Sequence, residues 1–307
     1  MVHWYPEPAV ASGKTVVRNA AGCTGRMEQA CRSRESMRQR SESMSTRYDF
    51  GRNWSELAAR FEEEHVAHAM ADLARLVGHL DGRTFLDVGC GSGLHAAAAL
   101  RLGARSVHAV DYDPDSVATT RAVLARFAAD GDWRVERGDA TDPDGLPPGP
   151  FDVVYSWGVL HHTGAMWRAV ANTAARVGPG GRLAVALYVK TRLCAAWGVE
   201  KRLYARHAWL RPLLKYPFAG LLLAGRAARH RDALSFVRHY RKARGMEFLV
   251  DVDDWLGGYP YEPVVPAELE ARIGDLGFRP LSRFNVRARS GVAGAGCGEW
   301  CFERSPA

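Results

Sequence analysis

Short apolar runs alternate with helical stretches through the middle of the chain. The apolar runs have the length and the β-branched content of buried strands: TFLDV (84–88), SVHAV (106–110), WRVE (133–136), FDVVYSW (151–157) and RLAVALY (182–188). Apolar residues at helical spacing fill three of the intervals between them: 94–102, 114–128 and 165–177. Such alternation predicts a parallel sheet with helices on both of its faces.

The two ends of this region carry further elements. Apolar residues recur at helical intervals over 53–80, which predicts one helix there, with Asn53 or Ser55 as its cap. Near the C-terminus, a helical pattern at 266–278 precedes two strand-like runs, 280–288 and 298–304, joined by a glycine-rich loop. These runs predict an antiparallel hairpin at the edge of the sheet.

Residues 190–262 interrupt the alternation. Within 190–245, fourteen Lys and Arg residues face only two acidic residues, Glu200 and Asp232, whereas the whole chain carries a net charge of +7. The acidic stretch MEFLVDVDDW (246–255) follows. The pattern predicts an acidic core domain with a strongly basic, largely helical insert, and it favours anionic partners.

We divide the chain into four expected regions: a tail at 1–47, a core domain at 48–189, the insert at 190–262 and a C-terminal completion of the core at 263–307. The tail has eight Lys and Arg against four acidic residues and no sustained period, which predicts disorder. A basic arm for nucleic acid, a targeting segment and a dispensable leader upstream of a later start at Met44 are the alternatives for it.

The six cysteines form no CxxC pair and no cluster with zinc spacing, so no metal site is predicted. Single thiols of this kind suit the reducing cytoplasm, where we expect the protein to reside. No run of 18 apolar residues occurs, and the N-terminus has no signal-peptide pattern.

The stretch LDVGCGSGLHAAAA (86–99) places an aspartate and three glycines between a strand and a helix. Free backbone N–H groups and the helix dipole make such a corner a ligand cradle. A dinucleotide loop would need glycine at position 94, where the chain has leucine, and no Walker lysine follows. Asp111, 22 residues after Gly89, suits ribose hydroxyls, and Asp139 in GDATD (138–142) could accept a hydrogen bond from an adenine amino group.

Five blocks in this order resemble the class I S-adenosylmethionine-dependent methyltransferases: LDVGCGSG, VDYDP, GDATD, FDVVYSWGVLHHT and PGGRLAVALY, over about residues 84–188. The resemblance implies an α/β fold with a seven-stranded, mostly parallel Rossmann-like sheet, a final antiparallel hairpin and S-adenosylmethionine as cofactor. It also implies three groups of site residues: those at the methionine end (Asp87, Gly89, Cys90, Gly91, Gly93), those at the ribose and adenine (Asp111, Tyr112, Asp139, Ala140) and those beside the reactive methyl (Ser156, Trp157). The plainer interpretation is a tight turn with ordinary loop caps.

His161 and His162 are the candidate catalytic bases, because an unperturbed imidazole pKa of about 6.5 suits proton transfer near neutral pH. Alternatively, one of them packs or hydrogen-bonds beneath the cofactor. The stretch DWLGGYPYEP (254–263) offers Tyr259, Tyr261 and Glu262 as substrate contacts, or else forms a structural turn that ties the insert to the sheet.

For the methyl acceptor we expect a small molecule that reacts through oxygen and is anionic, glycosylated or lipid-linked. The segment 209–231 mixes leucines with cations, so it could cover the pocket or lie on an anionic membrane. A nucleic-acid methyltransferase that uses the basic insert is the alternative, although the Asn/Asp-Pro-Pro-Tyr/Phe block of base modifiers is missing. A non-catalytic cofactor-binding protein is the third hypothesis.

Overall fold

A computed structural model describes residues 50–228, 232–244, 248–286 and 296–306. The tail at 1–47, for which we predict disorder, lies outside these residues. Seven strands form one sheet: β1 (Thr84–Val88), β2 (Ser106–Asp111), β3 (Trp133–Arg137), β4 (Phe151–Trp157), β5 (Val177–Tyr188), β6 (Phe278–Phe284) and β7 (Cys297–Arg304).

The strand order is β3-β2-β1-β4-β5-β7-β6. The first five strands run parallel, and β7 runs antiparallel to both β5 and β6. The predicted mostly parallel sheet with a closing antiparallel hairpin is therefore confirmed. The stretch GPGG (178–181) lies inside β5 rather than before it, because the β4–β5 pairing slips there and resumes at Arg182 opposite Val153.

Ten helices lie in the described part: α1 (Phe50–Ala58), α2 (Glu63–Val77), α3 (Leu94–Arg101), α4 (Pro114–Phe127), α5 (Met166–Ala174), α6 (Cys194–Arg206), α7 (Leu210–Ala227), α8 (Ala233–Arg244), α9 (Phe248–Gly257) and α10 (Pro266–Asp275). A short 3₁₀ turn, Leu160–His162, follows β4. The predicted basic insert is helical, and we call its helices α6 to α9 the cap.

The single helix expected over 53–80 is two helices. Glu62 stands at the N-cap of α2, where its side chain accepts from the backbone of His65 and its own amide donates to His65 Nδ1 at 3.1 Å. The buried Phe61 fills the bend between the helices. Because this capping box starts a new helix at Glu63, α1 is free to take a different direction from α2.

Two apolar clusters sandwich the sheet, and a third lies inside the cap. Side chains from α2, α3 and α4 cover one face, and side chains from α5 and α10 cover the other. The cap has its own centre, in which Tyr204, Phe248, Val252 and Leu256 are buried. Within the described residues, no helix combines the length and the apolarity that crossing a bilayer requires.

Candidate active site

The glycine loop lies between the end of β1 and the start of α3, and tight packing surrounds it. Gly89 has φ +82°, and a Cβ there would lie 2.4 Å from Cγ1 of Val159. Gly93 has φ +77°, and a Cβ there would lie 2.8 Å from the Cα of Thr120. Both positions therefore demand glycine for backbone conformation and for space.

Asp111 ends β2 and joins the glycine loop to the next turn. Its Oδ2 accepts from the Gly91 amide at 2.9 Å, and its Oδ1 accepts from the Asp113 amide at 2.9 Å. Tyr112 lies next to it, with the Arg137 guanidinium 5.3 Å from the centre of its ring. The carboxylate thus fixes the two loops between which the adenosyl part of a ligand would lie.

Asp87 is buried at the end of β1, beside the same loop. Burial, and secondly the nearby Asp111 carboxylate, raise the pKa of Asp87 to about 8. Burial also raises the pKa of the Cys90 thiol, which accepts a hydrogen bond from the Thr120 hydroxyl at 3.2 Å. Two carboxyl groups that repel each other in a buried corner favour a ligand that brings positive charge.

Helix α1 lies against this corner, a relationship that the sequence did not predict. A Cβ at Gly91 would lie 3.3 Å from Trp54 Nε1, so the indole packs on the glycine loop. The Gly51 amide donates to Asp113 Oδ2 at 3.1 Å. A tryptophan in an amphipathic helix just before a glycine loop is the only sequence signal that could have suggested this cover.

Asp139 and Ala140 lie in the loop that follows β3. Asp139 Oδ1 accepts from both the amide and the hydroxyl of Thr141, at 2.8 and 2.7 Å, which forms an Asx turn. The carbonyl of Ala140 accepts from Asn172 Nδ2 at 2.9 Å. The loop is therefore held from both sides at the carboxyl edge of the sheet, where ligands bind in folds of this kind.

Ser156 and Trp157 end β4, and their side chains are engaged within the protein. The buried Ser156 hydroxyl donates to the Val88 carbonyl at 2.8 Å, which connects β4 to the end of β1. Trp157 donates from Nε1 to Glu299 Oε1 at 3.2 Å and is 42% exposed. Their expected position beside a reactive methyl stays a prediction.

The two candidate histidines occupy different environments in the 3₁₀ turn after β4. His161 has no exposed surface, and neither ring nitrogen has a hydrogen-bond partner among the described residues. Burial, the neighbouring His162 and then Lys201 hold the pKa of His161 well below its usual range. His162 Nδ1, by contrast, lies 2.7 Å from the carbonyl of Pro260. His162 is therefore held by a hydrogen bond, whereas neither ring nitrogen of His161 is bonded within the described residues.

The stretch 254–263 connects this turn to the cap. The amide of Glu262 donates to the His161 carbonyl at 3.0 Å, and its Oε2 accepts from the Met166 amide at 3.2 Å. The Tyr261 hydroxyl lies 3.3 Å from Cys194 Sγ, and burial raises the pKa of Tyr261. Tyr259 is half-buried and precedes a cis peptide bond. Of the three predicted substrate residues, Glu262 lies directly against the turn that carries His161.

Further aromatic rings and a buried lysine surround His161. Its ring centroid lies 4.1 Å from that of Tyr188, at the end of β5, and the ring of Tyr188 lies 5.4 Å from that of Tyr261. Lys201 of α6 has no exposed surface, donates to the Trp255 carbonyl and stands 4.2 Å from the centre of the Trp255 ring. Burial lowers the pKa of Lys201 to about 8. One lysine among many cations of the insert gives no indication in the sequence that it is buried beside aromatic rings.

Comparison with known proteins supports the interpretation of the glycine loop. Residues 86–183 match a family described as a methyltransferase domain. Residues 86–183 therefore belong to a methyltransferase domain, in agreement with the resemblance to the class I S-adenosylmethionine-dependent methyltransferases. S-adenosylmethionine, the cofactor that the resemblance implies, agrees with that match.

The individual relatives of the methyltransferase domain have several functions. A ribosomal protein L11 methyltransferase of Xanthomonas euvesicatoria is 39% identical over 109 residues, which are 35% of this chain and 33% of the relative. A tRNA U34 carboxymethyltransferase of Methylococcus capsulatus is 34% identical over 143 residues, 44% of this chain and 42% of the relative. The chain thus spans about a third of the length of the L11 relative.

Among solved structures, a magnesium protoporphyrin IX methyltransferase from Synechocystis with bound S-adenosylhomocysteine is 18% identical. The similarity covers 78% of this chain and 82% of that one, with a TM-score of 0.47.

The residues present fit the cofactor. A ligand with a sulfonium and an ammonium group would offset the burial and the Asp111 repulsion that raise the pKa of Asp87. The loop around Gly91 and the carboxylate of Asp111 would hold the ligand from the β1 and β2 sides. Asp139 and Ala140 would meet the adenine edge from the β3 side.

Proposed function

We propose that the protein transfers a methyl group from S-adenosylmethionine to an oxygen of a small-molecule acceptor. The observation that carries this proposal is His161, which is fully buried at the carboxyl edge of the sheet with both ring nitrogens unbonded within the described part of the chain. A buried polar ring without partners is costly in a folded protein unless a ligand completes it. We assign that role to the acceptor.

The chain's own residues would perform two tasks. S-adenosylmethionine, when bound, supplies a methyl group that its sulfonium makes electrophilic. Asp111 and the glycine loop hold the adenosyl part, and positioning of this kind contributes roughly 7–11 kcal/mol to methyl transfer. His161, neutral at pH 7 because its pKa is lowered, accepts the proton of the acceptor hydroxyl.

The lowered pKa of His161 also narrows the class of acceptor. A weak base removes a proton efficiently only from an acidic group, such as a phenol or a carboxylic acid. The ammonium of Lys201, which acts on the pKa of His161, would stabilise the anion that forms. We therefore infer an aromatic or acidic hydroxyl as the acceptor, with Tyr188 and Tyr261 as the walls of its pocket.

The size of the acceptor follows from the enclosure of the site. Lys201 and Trp255 of the cap, together with Tyr188 and Tyr261, close the space around His161. An acceptor that reaches His161 between these rings has to be small, which favours a small molecule over a folded RNA or protein. The nucleic-acid alternative is supported by the fourteen cations of residues 190–245 and stays a prediction.

Transfer of labelled methyl groups into a host lysate tests the proposal. We expect the label in the low-molecular-mass fraction with the unaltered chain, and its loss with His161→Gln. Leu276→Glu, a change at an exposed leucine outside the site, should leave transfer intact. Label in the RNA or protein fraction would overturn the small-molecule assignment, and label that His161→Gln leaves unchanged would overturn the role of His161.

A further inference from the structure

Helix α7 has an unusual outer surface. Leu213, Tyr216 and Leu221 are each about 60% exposed, and Trp209 just before the helix is 67% exposed. The exposed positions of the helix carry no charge: Pro212, Leu213, Tyr216, Pro217, Gly220, Leu221, Ala224 and Ala227. This outer face of α7, an 18-residue helix, is therefore continuous and uncharged.

The three cations of α7 do not lie on this face. Arg211 Nε donates to the carbonyl of Tyr204 at 3.3 Å, and Lys215 forms an ion pair with Asp253. The guanidinium of Arg226 stands 3.7 Å from the centre of the Phe236 ring. All three side chains make contacts within the cap. The outer face therefore lacks the charged residues that a surface helix usually presents to solvent.

The opposite face of α7 is also apolar. Leu214, Phe218, Ala219, Leu222 and Leu223 pack into the apolar centre of the cap. The outer leucines are therefore not needed for folding of the cap. A helix that is apolar on both faces while one face meets solvent is typical of a surface that binds a partner.

Charge around α7 indicates the kind of partner. Helices α6 and α8, which both contact α7, present exposed arginines at 202, 206 and 238. Helix α8 carries a further exposed apolar side chain, Leu234, which is 70% exposed. An apolar helix face whose neighbouring helices carry exposed cations complements a bilayer surface that carries anionic headgroups.

We propose that the outer face of α7 binds the surface of an anionic lipid membrane, with the helix parallel to the bilayer. Leucine and tyrosine side chains enter the headgroup boundary, and the arginines of α6 and α8 contact lipid phosphates. The chain would lie on the membrane rather than cross it, since no described helix has the apolar length for crossing. The inference goes beyond methyl transfer and does not depend on it.

Vesicle flotation of the full chain tests the proposal. We expect the chain to float with vesicles of phosphatidylcholine and phosphatidylglycerol at about 7:3. It should stay in solution with vesicles of phosphatidylcholine alone. The double change Leu213→Glu and Leu221→Glu should reduce flotation at least tenfold. Leu276→Glu, a matched change at a leucine of 42% exposure outside the cap, should have no effect.

Circular dichroism and the melting temperature of each variant show whether it is folded. Failure of the chain to float with anionic vesicles would overturn the proposal, as would equal flotation of the double variant. Self-association without lipid that the double variant abolishes, in the absence of flotation, would assign the face to a second copy of the chain instead.

Discussion

The side-chain amide of Asn53 in α1 donates a hydrogen bond to Asp254 of α9 at 2.5 Å, across 201 residues of sequence. The same helix packs Trp54 on the glycine loop and binds Asp113 through the Gly51 amide. Helix α1 therefore connects the cofactor corner with the cap. We infer that cofactor binding and the position of the cap depend on each other through α1.

Removal of this contact should destabilise the chain. Asn53→Ala should lower the free energy of unfolding by about 1–3 kcal/mol, because the half-buried Asp254 loses the donor that stabilises its charge. Burial raises the pKa of Asp254 to about 7, so Asp254→Asn should cost less than Asn53→Ala near neutral pH. Urea unfolding of both variants and of the double variant measures the coupling. Strictly additive effects would contradict a direct contact.

Gly89 should tolerate no side chain. Gly89→Ala combines the strain of φ +82° with a clash against Val159, so we expect a loss of about 3 kcal/mol or more in unfolding free energy. Gly180→Ala is the matched control, since Gly180 has φ +68° and open space around it, and it should cost only about 1 kcal/mol. Adding Val159→Ala to Gly89→Ala should recover part of the loss. Equal costs at the two glycines would mean that Val159 does not constrain the loop.

Cofactor affinity should increase with pH because of Asp87. In the free protein its pKa is about 8, so below pH 8 the carboxyl is mostly protonated. A cationic ligand favours the carboxylate, lowers that pKa and releases a proton on binding. The affinity for S-adenosylmethionine should thus rise between about pH 6 and 7.5, by up to about tenfold per pH unit. Calorimetry should find this slope absent in Asp87→Asn, and a slope that survives in this variant would place the titrating group elsewhere.

Substitution of His161 and substitution of His162 should have different effects on the rate of methyl transfer. His161→Gln should lower the rate of methyl transfer by about 10²–10⁴-fold and leave cofactor affinity unchanged, as expected for a general base. His162→Gln should reduce the rate less than about tenfold and mainly cost stability, because His162 is held by the Pro260 carbonyl. Single-turnover transfer of labelled methyl groups measures both variants. The reverse order of effects would make His162 the base.

Sequence reasoning predicted the elements whose signals are local. The strand that contains Asp87 and the strand that ends in Asp111 are short apolar runs, and the glycine loop after the first of them is typical of a ligand cradle. The closing hairpin of the sheet was predicted for the same reason. Each of these features is specified by a few consecutive residues, so it could be predicted without knowledge of the fold.

The remaining features depend on contacts between distant residues. The capping box at Glu62, which divides the expected helix, uses a glutamate where a serine or threonine is usual. Lys201 was counted only as one of the fourteen cations of residues 190–245, although it is buried beside the rings of Tyr188, Trp255 and Tyr261. Similarly, the contact between Asn53 and Asp254 joins the first described helix to the cap, across 201 residues of sequence. Periodicity and composition carry no information about such pairs.

Calorimetric titration of S-adenosylmethionine into the unaltered chain and into Asp111→Ala tests the central claim most directly. We predict that the unaltered chain binds one cofactor, and that Asp111→Ala weakens binding by about 1–3 kcal/mol, roughly five- to 150-fold, since a charged hydrogen-bond acceptor is lost. The Asp111 carboxylate also accepts hydrogen bonds from the Gly91 and Asp113 amides. The melting temperature of the variant shows whether loss of these bonds disturbs the fold. No binding by the unaltered chain, or the same affinity in a folded variant, would contradict the account.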